Sequence, residues 1–337
     1  MPNSVTIDIG SYAIKAAQGK AGKAVKLERT VEVPNTLGLT IPTDDVSAEK
    51  MGGMIANMFT DHSLAHTDVR LSLPETLVST KIISIPSLSD AELASAIQWQ
   101  AEQHIPIPLE ELSLEYQVIY RPEKIDKGEQ MRVLLVGVRK SIVDKYLDVF
   151  LRAGLEPTIL ETQTLSLFRA LQPQESDPVT MIVHIGATTT DIAIVAASEL
   201  RFVYTHSTAG QVLTRTLEQG LQLDARQAEQ YKRTYGLDAT QLQGKIRDLL
   251  LPALRVFLLE MQKAMQFFGS QMPGQAVQRV MLSGGGAQLP GLGEFITEQL
   301  GVETQVIAPF ATASGEIPQA NQAAFAVAMG LLMREGA

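Results

Sequence analysis

Two short glycine-led stretches hold the residue types best suited to chemistry. The first is Val5-Thr6-Ile7-Asp8-Ile9-Gly10-Ser11-Tyr12-Ala13-Ile14-Lys15. The second is Ile182-Val183-His184-Ile185-Gly186-Ala187-Thr188-Thr189-Thr190-Asp191-Ile192-Ala193-Ile194-Val195. In each, a run rich in β-branched residues leads to a glycine, a few small polar residues and a second apolar run, which predicts a strand, a tight turn and a returning strand. A turn led by a residue without a Cβ lets the main chain approach an anion closely, so its N–H groups and small hydroxyls can hold a phosphate. An ordinary hairpin has the same pattern, and one copy alone would say little. Here the two glycines stand 176 positions apart, at 10 and 186, about half the 337-residue chain, and a polar residue precedes each by two. That offset predicts two related halves facing each other.

A third stretch, Ser283-Gly284-Gly285-Gly286-Ala287, follows a strand predicted from Val277 to Leu282 and precedes a helix that runs through Leu300. Three consecutive glycines there suit close approach to a flat ligand better than a flexible joint, which would disorder the start of the helix. Glu229 and Lys232, three apart on a polar helix from Asp224 to Tyr235, read from spacing alone as a weak surface ion pair.

The elements that must position these residues follow from periodicity. In the first half, Ala24 to Val33 adds a third strand after the turn Gly19 to Lys23, giving a meander. Ser47 to His62 is an amphipathic helix with Met51, Met54, Ile55 and Met58 on its core face. Strands at 69–73 and 81–86 precede a helix whose start is marked by the Ser89/Glu92 capping box. On that helix Leu93, Ile97, Ala101 and His104 share a face, and the single tryptophan, Trp99, points elsewhere, either onto a neighbouring subdomain or into a partner groove. Ile105-Pro106-Ile107-Pro108 ends the helix. Strands at 114–120 and 131–138 follow, then a helix from Ser141 capped by Asp144 and ending at Gly154. Residues 69–152 thus read as a small α+β insert. Strand 158–160, Glu161 and helix 164–171 complete the first half, and the polar stretch Pro173 to Pro178 divides the halves.

The second half repeats hairpin and third strand (Leu200 to Thr205). A helix opened by Gly210, the polar helix, and a long apolar helix from Leu249 to Phe268 with Pro252 near its first turn come next. A final helix spans Gln322 to Arg334. The expected division is 1–173 and 178–320, with 321–337 packing back on the first domain.

Composition narrows the function. A formal net charge of −9 opposes a surface that tracks nucleic-acid phosphates, so no nucleic-acid partner is expected. The absence of cysteine excludes disulfides and thiolate metal sites. Met1-Pro2-Asn3-Ser4 leads directly into a strand without a basic or apolar leader. Since no apolar run approaches the ~20 residues that span a bilayer, a cytoplasmic chain with no direct membrane insertion is expected.

The two hairpins and the Ser-Gly-Gly-Gly stretch resemble the phosphate-1, phosphate-2 and adenosine motifs of the actin-like ATPase superfamily. Within it, Leu88 to Leu93, Ile97 to Pro106, Leu114 to Val118, Leu134 to Lys140, Ala228-Glu229 with Lys232, and Ser283 to Leu292 look like the PilM family of the type IV pilus machinery. The resemblance covers essentially the whole chain. It implies a duplicated α/β (ribonuclease H-like) two-domain fold, similar to FtsA, with an inserted subdomain and ATP and magnesium in the cleft. Gly10, Ser11, Tyr12 and Lys15 would then hold the β- and γ-phosphates, with Asp8 on magnesium through water. Gly186, Ala187, Thr188 and Thr189 would form the opposing clamp. Glu229 and Lys232 would meet ribose and base, which replaces the surface-pair reading, Gly210 would be among the cofactor-binding residues, and Gly284, Gly285 and Gly286 would lie against adenine. Glu161 and Asp191 match catalytic acids. His184 departs from the aspartate usual at that position and is a weak magnesium ligand, so binding without fast hydrolysis is expected.

The partners implied by the resemblance are the N-terminal cytoplasmic peptide of PilN and other platform or motor proteins, with homo-oligomers possible and the chain peripheral to the inner membrane through PilN. The competing readings are a sugar- or acetate-type kinase of the same fold and an FtsA-like filament protein. The second calls for an amphipathic C-terminal membrane helix, and the sequence ends at Glu335-Gly336-Ala337.

Overall fold

The computed structural model describes residues 3–20, 22, 24–122 and 130–335. Parts of the predicted turn at 19–23, the first two residues and the last two lie outside them.

β1 (Asn3–Ile9), β2 (Ala13–Lys20) and β3 (Lys26–Pro34) form the expected meander. α1 (Asp45–Asp61) starts earlier than predicted because Asp44, in a reciprocal box with Ser47, caps it. β4 (Val69–Leu73) is followed by β5 (Val78–Pro86), α2 (Asp90–His104), β6 (Leu112–Tyr120), β7 (Gln130–Arg139), α3 (Lys140–Arg152), β8 (Pro157–Thr162) and α4 (Gln163–Leu171). The second half runs β9 (Thr180–Ile185), β10 (Thr190–Ala196), β11 (Glu199–His206), α5 (Gly210–Leu221), α6 (Ala225–Tyr235), α7 (Lys245–Gln271), β12 (Arg279–Ser283), α8 (Leu292–Leu300) and β13 (Glu303–Val306). β14 (Ser314–Gly315) and α9 (Ala326–Leu332) close the chain.

The strands make a sheet of order β14-β3-β2-β1-β4-β8 and a second of order β11-β10-β9-β12-β13. In each, the first strand of the glycine hairpin lies between its antiparallel partner and a parallel strand from further along the chain. The predicted internal duplication is therefore present in the strand order. A third sheet, β5-β7-β6, carries α2 on one face, where Leu93, Ile97 and Ala101 pack with Ile83, Met131 and Leu135.

The insert is narrower than its pattern suggested. Val69–Leu73 is wholly buried and pairs in parallel with β1, so it belongs to the main sheet. Tyr146, Val149 and Phe150 of α3 share a core with Met51, Ile55, Met58 and Phe59 of α1. Among the described residues the separate third sheet and α2 are drawn from 78–120 and 130–139. Asp144 does not cap α3, which continues directly from β7 with no side-chain cap. His104 is exposed, since α2 ends as it leaves the sheet. Pro252 lies inside α7, because that helix begins at Lys245. The predicted last helix divides into a 3-10 turn, Gln322–Phe325, and α9.

α9 is buried along its whole length against β1, β2, β4 and α4, with Thr6 Oγ1 donating to the Ala328 carbonyl at 2.8 Å. Glu161 takes part in this anchorage and has no place among the cleft residues described below. Its carboxylate accepts from Ser166 Oγ at 2.9 Å, from Arg169 at 2.7 and 2.8 Å, and from Arg334 at 2.8 Å. At this position, expected to be a catalytic acid, both carboxylate oxygens are held by guanidinium groups. Replacing Glu161 by Gln is expected to lower the unfolding free energy by on the order of 2 kcal/mol, read from urea denaturation; an unchanged midpoint would remove the anchoring role.

Candidate binding cleft

The two glycine turns face each other across a cleft between the sheets. Each turn is closed by one main-chain bond, Gly10 N–H to the Ala13 carbonyl at 3.0 Å and Gly186 N–H to the Thr189 carbonyl at 2.9 Å. Glycine is needed at position 10 for space, because a Cβ there would stand 2.9 Å from the Ala13 oxygen. The backs of the turns are pinned as well: Asn35 Nδ2 donates to the Gly10 carbonyl at 2.8 Å, and Gly210 N–H to the Gly186 carbonyl at 3.1 Å. Gly10, Ser11 and Tyr12 line one wall, and Gly186, Ala187, Thr188 and Thr189 line the other. Ser11 Oγ and Thr188 Oγ1 meet across the gap at 3.1 Å.

The floor repeats one geometry with different charges. In the first half Asp8 is registered with Lys15 on β2 and Ser72 on β4; in the second, His184 is registered with Asp191 on β10 and Ser283 on β12. Ser72 Oγ donates to Asp8 Oδ1 at 2.9 Å, and Ser283 Oγ bonds His184 Nδ1 at 3.1 Å. Asp8 Oδ1 also accepts from Gln163 Nε2 at 2.7 Å, and Lys15 Nζ lies 3.5 Å from Oδ2. Burial alone would push Asp8 up. The Lys15 ammonium, aided by Gln163 and Ser72, holds it below the usual carboxylate range. Burial pushes His184 down to about 4, so its imidazole is neutral at physiological pH.

Asp191 behaves differently. Burial pushes it up to about 7, reinforced by the charges of Glu75 and Asp8 and opposed by the hydrogen bond from Thr205 Oγ1 at 2.6 Å. Glu75, in the 3-10 turn after β4, is also raised by burial, and it accepts from Thr80.

At the far end, Lys232 is buried and its ammonium donates to Gly210 O at 3.1 Å, Thr214 Oγ1 at 2.9 Å and Glu229 Oε2 at 2.6 Å. The pair is thus part of the cleft and not a surface bridge. Its ammonium holds α5 to α6 and fixes the Glu229 carboxylate, which Thr214 Oγ1 and Arg233 Nε also reach. The glycine run closes this end. Gly284, in the left-handed region, and Gly286 are required by Ile185, whose atoms would lie 2.5 Å and 2.3 Å from their Cβ positions. Gly285 faces open space. Packing explains two of the three glycines, and the sequence reading had assigned all three to a ligand.

The structure gathers every predicted site residue into this cleft except Glu161. Sequence reasoning missed Gln163, Arg233, Glu32 and Asn321, which also line it. Gln163 was discoverable as the polar residue where β8 passes into α4, two positions beyond Glu161. Magnesium does not fit as a metal held by the protein itself. Both oxygens of Asp8 are engaged, His184 is bonded to Ser283, and among the described residues no group of three or more His, Cys, Asp or Glu could hold an ion.

A family profile described as type IV pilus assembly protein PilM matches residues 6–336. The chain belongs to the PilM family. A solved PilM-PilN type IV pilus biogenesis complex superposes with a TM-score of 0.84 at 24% identity, covering 98% of this chain and 97% of that one. MreB5 of Spiroplasma citri bound to AMPPNP superposes at 0.57 with 12% identity, over 98% and 95% of the two chains. The fold is that of the actin-like ATPases. The ethanolamine utilization protein EutJ of Escherichia coli (strain K12) is 26% identical over 153 residues, 45% of this chain. That match spans about half the curated relative's length, 49%. Among the described residues of this PilM-family chain, no helix is long and apolar enough to cross a membrane.

The raised Asp191 gives this cleft a signature in stability. Its folded value of about 7 lies above the unfolded value near 4, so its contribution is full below about pH 4 and is lost as pH rises to about 7. Asp191→Asn is therefore expected to gain on wild type by up to about 1.4 kcal/mol per pH unit through that window and to level off above it. Urea midpoints at several pH values check this, and a gain independent of pH would contradict the buried-acid assignment.

Proposed function

We propose that this chain is a nucleotide-binding adaptor of the type IV pilus platform, which holds ATP between its glycine turns and hydrolyses it slowly or not at all. The observation that carries the reading is the cleft floor. The paired turns and Lys15 suit a polyphosphate, yet the floor offers no free base. Asp8 is tied to Lys15, Ser72 and Gln163, and His184 is neutral and held by Ser283. Asp191, pushed up to about 7, is only about half ionised at neutral pH, and its Oδ1 is already engaged by Thr205. Activation of an attacking water needs an acceptor within hydrogen-bond reach and in the right protonation state. In this reading Asp8 would supply no direct metal ligand and would act on a magnesium ion brought by the triphosphate only through water.

Glu229 and Lys232 bound the ribose side, and Gly285 leaves room for the base. The structures of MreB5 with AMPPNP and with ADP, similar in fold, support a nucleotide in this cleft. The partner is the N-terminal cytoplasmic peptide of PilN, supported by the likeness to the PilM-PilN complex. The insert offers exposed aromatic surface for it, with Trp99 on α2 57% exposed and Tyr116 on β6 40% exposed.

Three outcomes are expected. Calorimetry should find ATP binding that Lys15→Ala weakens roughly 10- to 100-fold; a wild type with no affinity for ATP would sink the reading. Phosphate release should be slow in wild type and faster in His184→Asp, whereas a fast wild type or an unchanged variant would show that His184 is not limiting. Titration with the PilN tail peptide should saturate, and Trp99→Ala should weaken it by about tenfold or more. If the peptide binds wild type and variant alike, Trp99 lies outside the contact.

A further inference from the structure

The tip of the first glycine turn carries a residue whose size phosphate binding does not require. Tyr12 is 50% exposed, and the Arg233 guanidinium carbon stands 5.0 Å from the centroid of its ring. Tyr12 belongs to the first half and Arg233 to α6 of the second, so this contact spans the cleft. Arg233 is aimed by Glu229, whose Oε1 accepts from its Nε at 2.7 Å. On the first-half rim Glu32 adds a favourable charge to Arg233 and accepts from Asn321 Nδ2 at 2.9 Å. Tyr12, Glu32, Arg233 and Asn321 all line the cleft that holds the phosphate turns. Below this rim the Ser11–Thr188 contact joins the halves a second time.

A cation over an aromatic face is attracted by the ring quadrupole, and the attraction tolerates small sliding movements better than a hydrogen bond does. It thus suits a contact that opens and closes repeatedly. We propose that Tyr12 and Arg233 form a gate across the mouth of the cleft, which must part for a nucleoside triphosphate to enter or leave. The proposal rests on the nucleotide reading above and adds a kinetic role to it. Because Tyr12 and Arg233 meet each other across the mouth, the gate slows entry as well as exit. A residue that merely gripped the ligand would slow exit alone.

The test uses the full chain loaded with radiolabelled ATP and chased with unlabelled ATP, with association measured by filter binding. Tyr12→Ala and Arg233→Ala are each expected to raise the dissociation rate about two- to five-fold. Association should rise as well in both variants, which a contact that only grips the bound ligand would not produce. The double variant should be no faster than either single one, because both remove the same contact. Tyr12→Phe keeps the ring and should behave as wild type.

Additive effects in the double variant, or faster release with unchanged association, would overturn the gate and leave two independent ligand contacts. Release at the wild-type rate in both single variants would overturn it with the nucleotide reading intact. A wild type that retains no label overturns that reading and the gate with it.

Discussion

One buried charge pair sets the terms for the rest of the cleft. Asp8 and Lys15 sit opposite each other on adjacent strands, each little exposed. An isolated carboxylate there would be strongly disfavoured, and the ammonium beside it keeps Asp8 ionised. Satisfying Asp8 requires Ser72 from β4 and Gln163 from the start of α4, which ties the strand order of the first sheet to the protonation state of its site. The duplicated position in the second half has the same backbone and the same supporting serine, but His184 and Asp191 replace aspartate and lysine. Neither carries a full charge there near neutral pH. The two halves share a frame and differ in charge, and the proposed slow hydrolysis rests on that asymmetry.

The way β1 is buried explains how such a pair survives in the interior. Its residues alternate between faces, as a strand requires. Val5, Ile7 and Ile9 enter the core with α1 and α3. Ser4, Thr6 and Asp8 point the other way and are equally buried. That second face is covered by α9 and α4, and its polar atoms are bonded individually: Thr6 to the Ala328 carbonyl, Asp8 to Gln163. The Glu161 triad holds this cover in place by joining β8 to α4 and to Arg334. A polar residue in every second position therefore signals a hydrogen-bonded interior face here, where the usual expectation is a solvated one.

Local chemistry was legible in the sequence where a single stretch determines it. Both hairpins, the capping box at Ser89 and Glu92, the Gly210 helix start and the strand before the three glycines all depend on neighbours a few positions away. What could not be read depends on distant partners. β4 looks like the insert strands that follow it, and only its pairing with β1 assigns it to the main sheet. Asp144 had the spacing of a cap, but the chain enters α3 straight from a strand and leaves no free turn for it. Glu161 looks from its neighbours like an available acid, and its partner Arg334 lies 173 positions away. Arg233 had no local signal at all, since its partner Tyr12 lies in the other half of the chain.

The insert shows why two similar halves do not act as two independent lobes. It grows from the first half between β4 and α3, yet Leu134 lies within the second-half core and Ile82, Ile119 and Val136 pack against it. Arg132 on β7 makes a forked pair with Glu199, Nε to Oε2 and Nη2 to Oε1 each at 3.0 Å, and lies over the Tyr120 ring at 4.0 Å. The halves are consequently joined across the cleft, through the insert, and through α4 and the C-terminal segment, whose Leu167, Ala170, Ala326 and Val327 lie in the second-half core. Any relative rotation that opens the cleft must be taken up at the other junctions, because close-packed apolar surfaces slide or separate and do not stretch. The half-buried Arg132–Glu199 fork yields little, since a forked charged pair has a fixed geometry. The contacts across the cleft mouth are single and partly exposed, and they are where opening costs least.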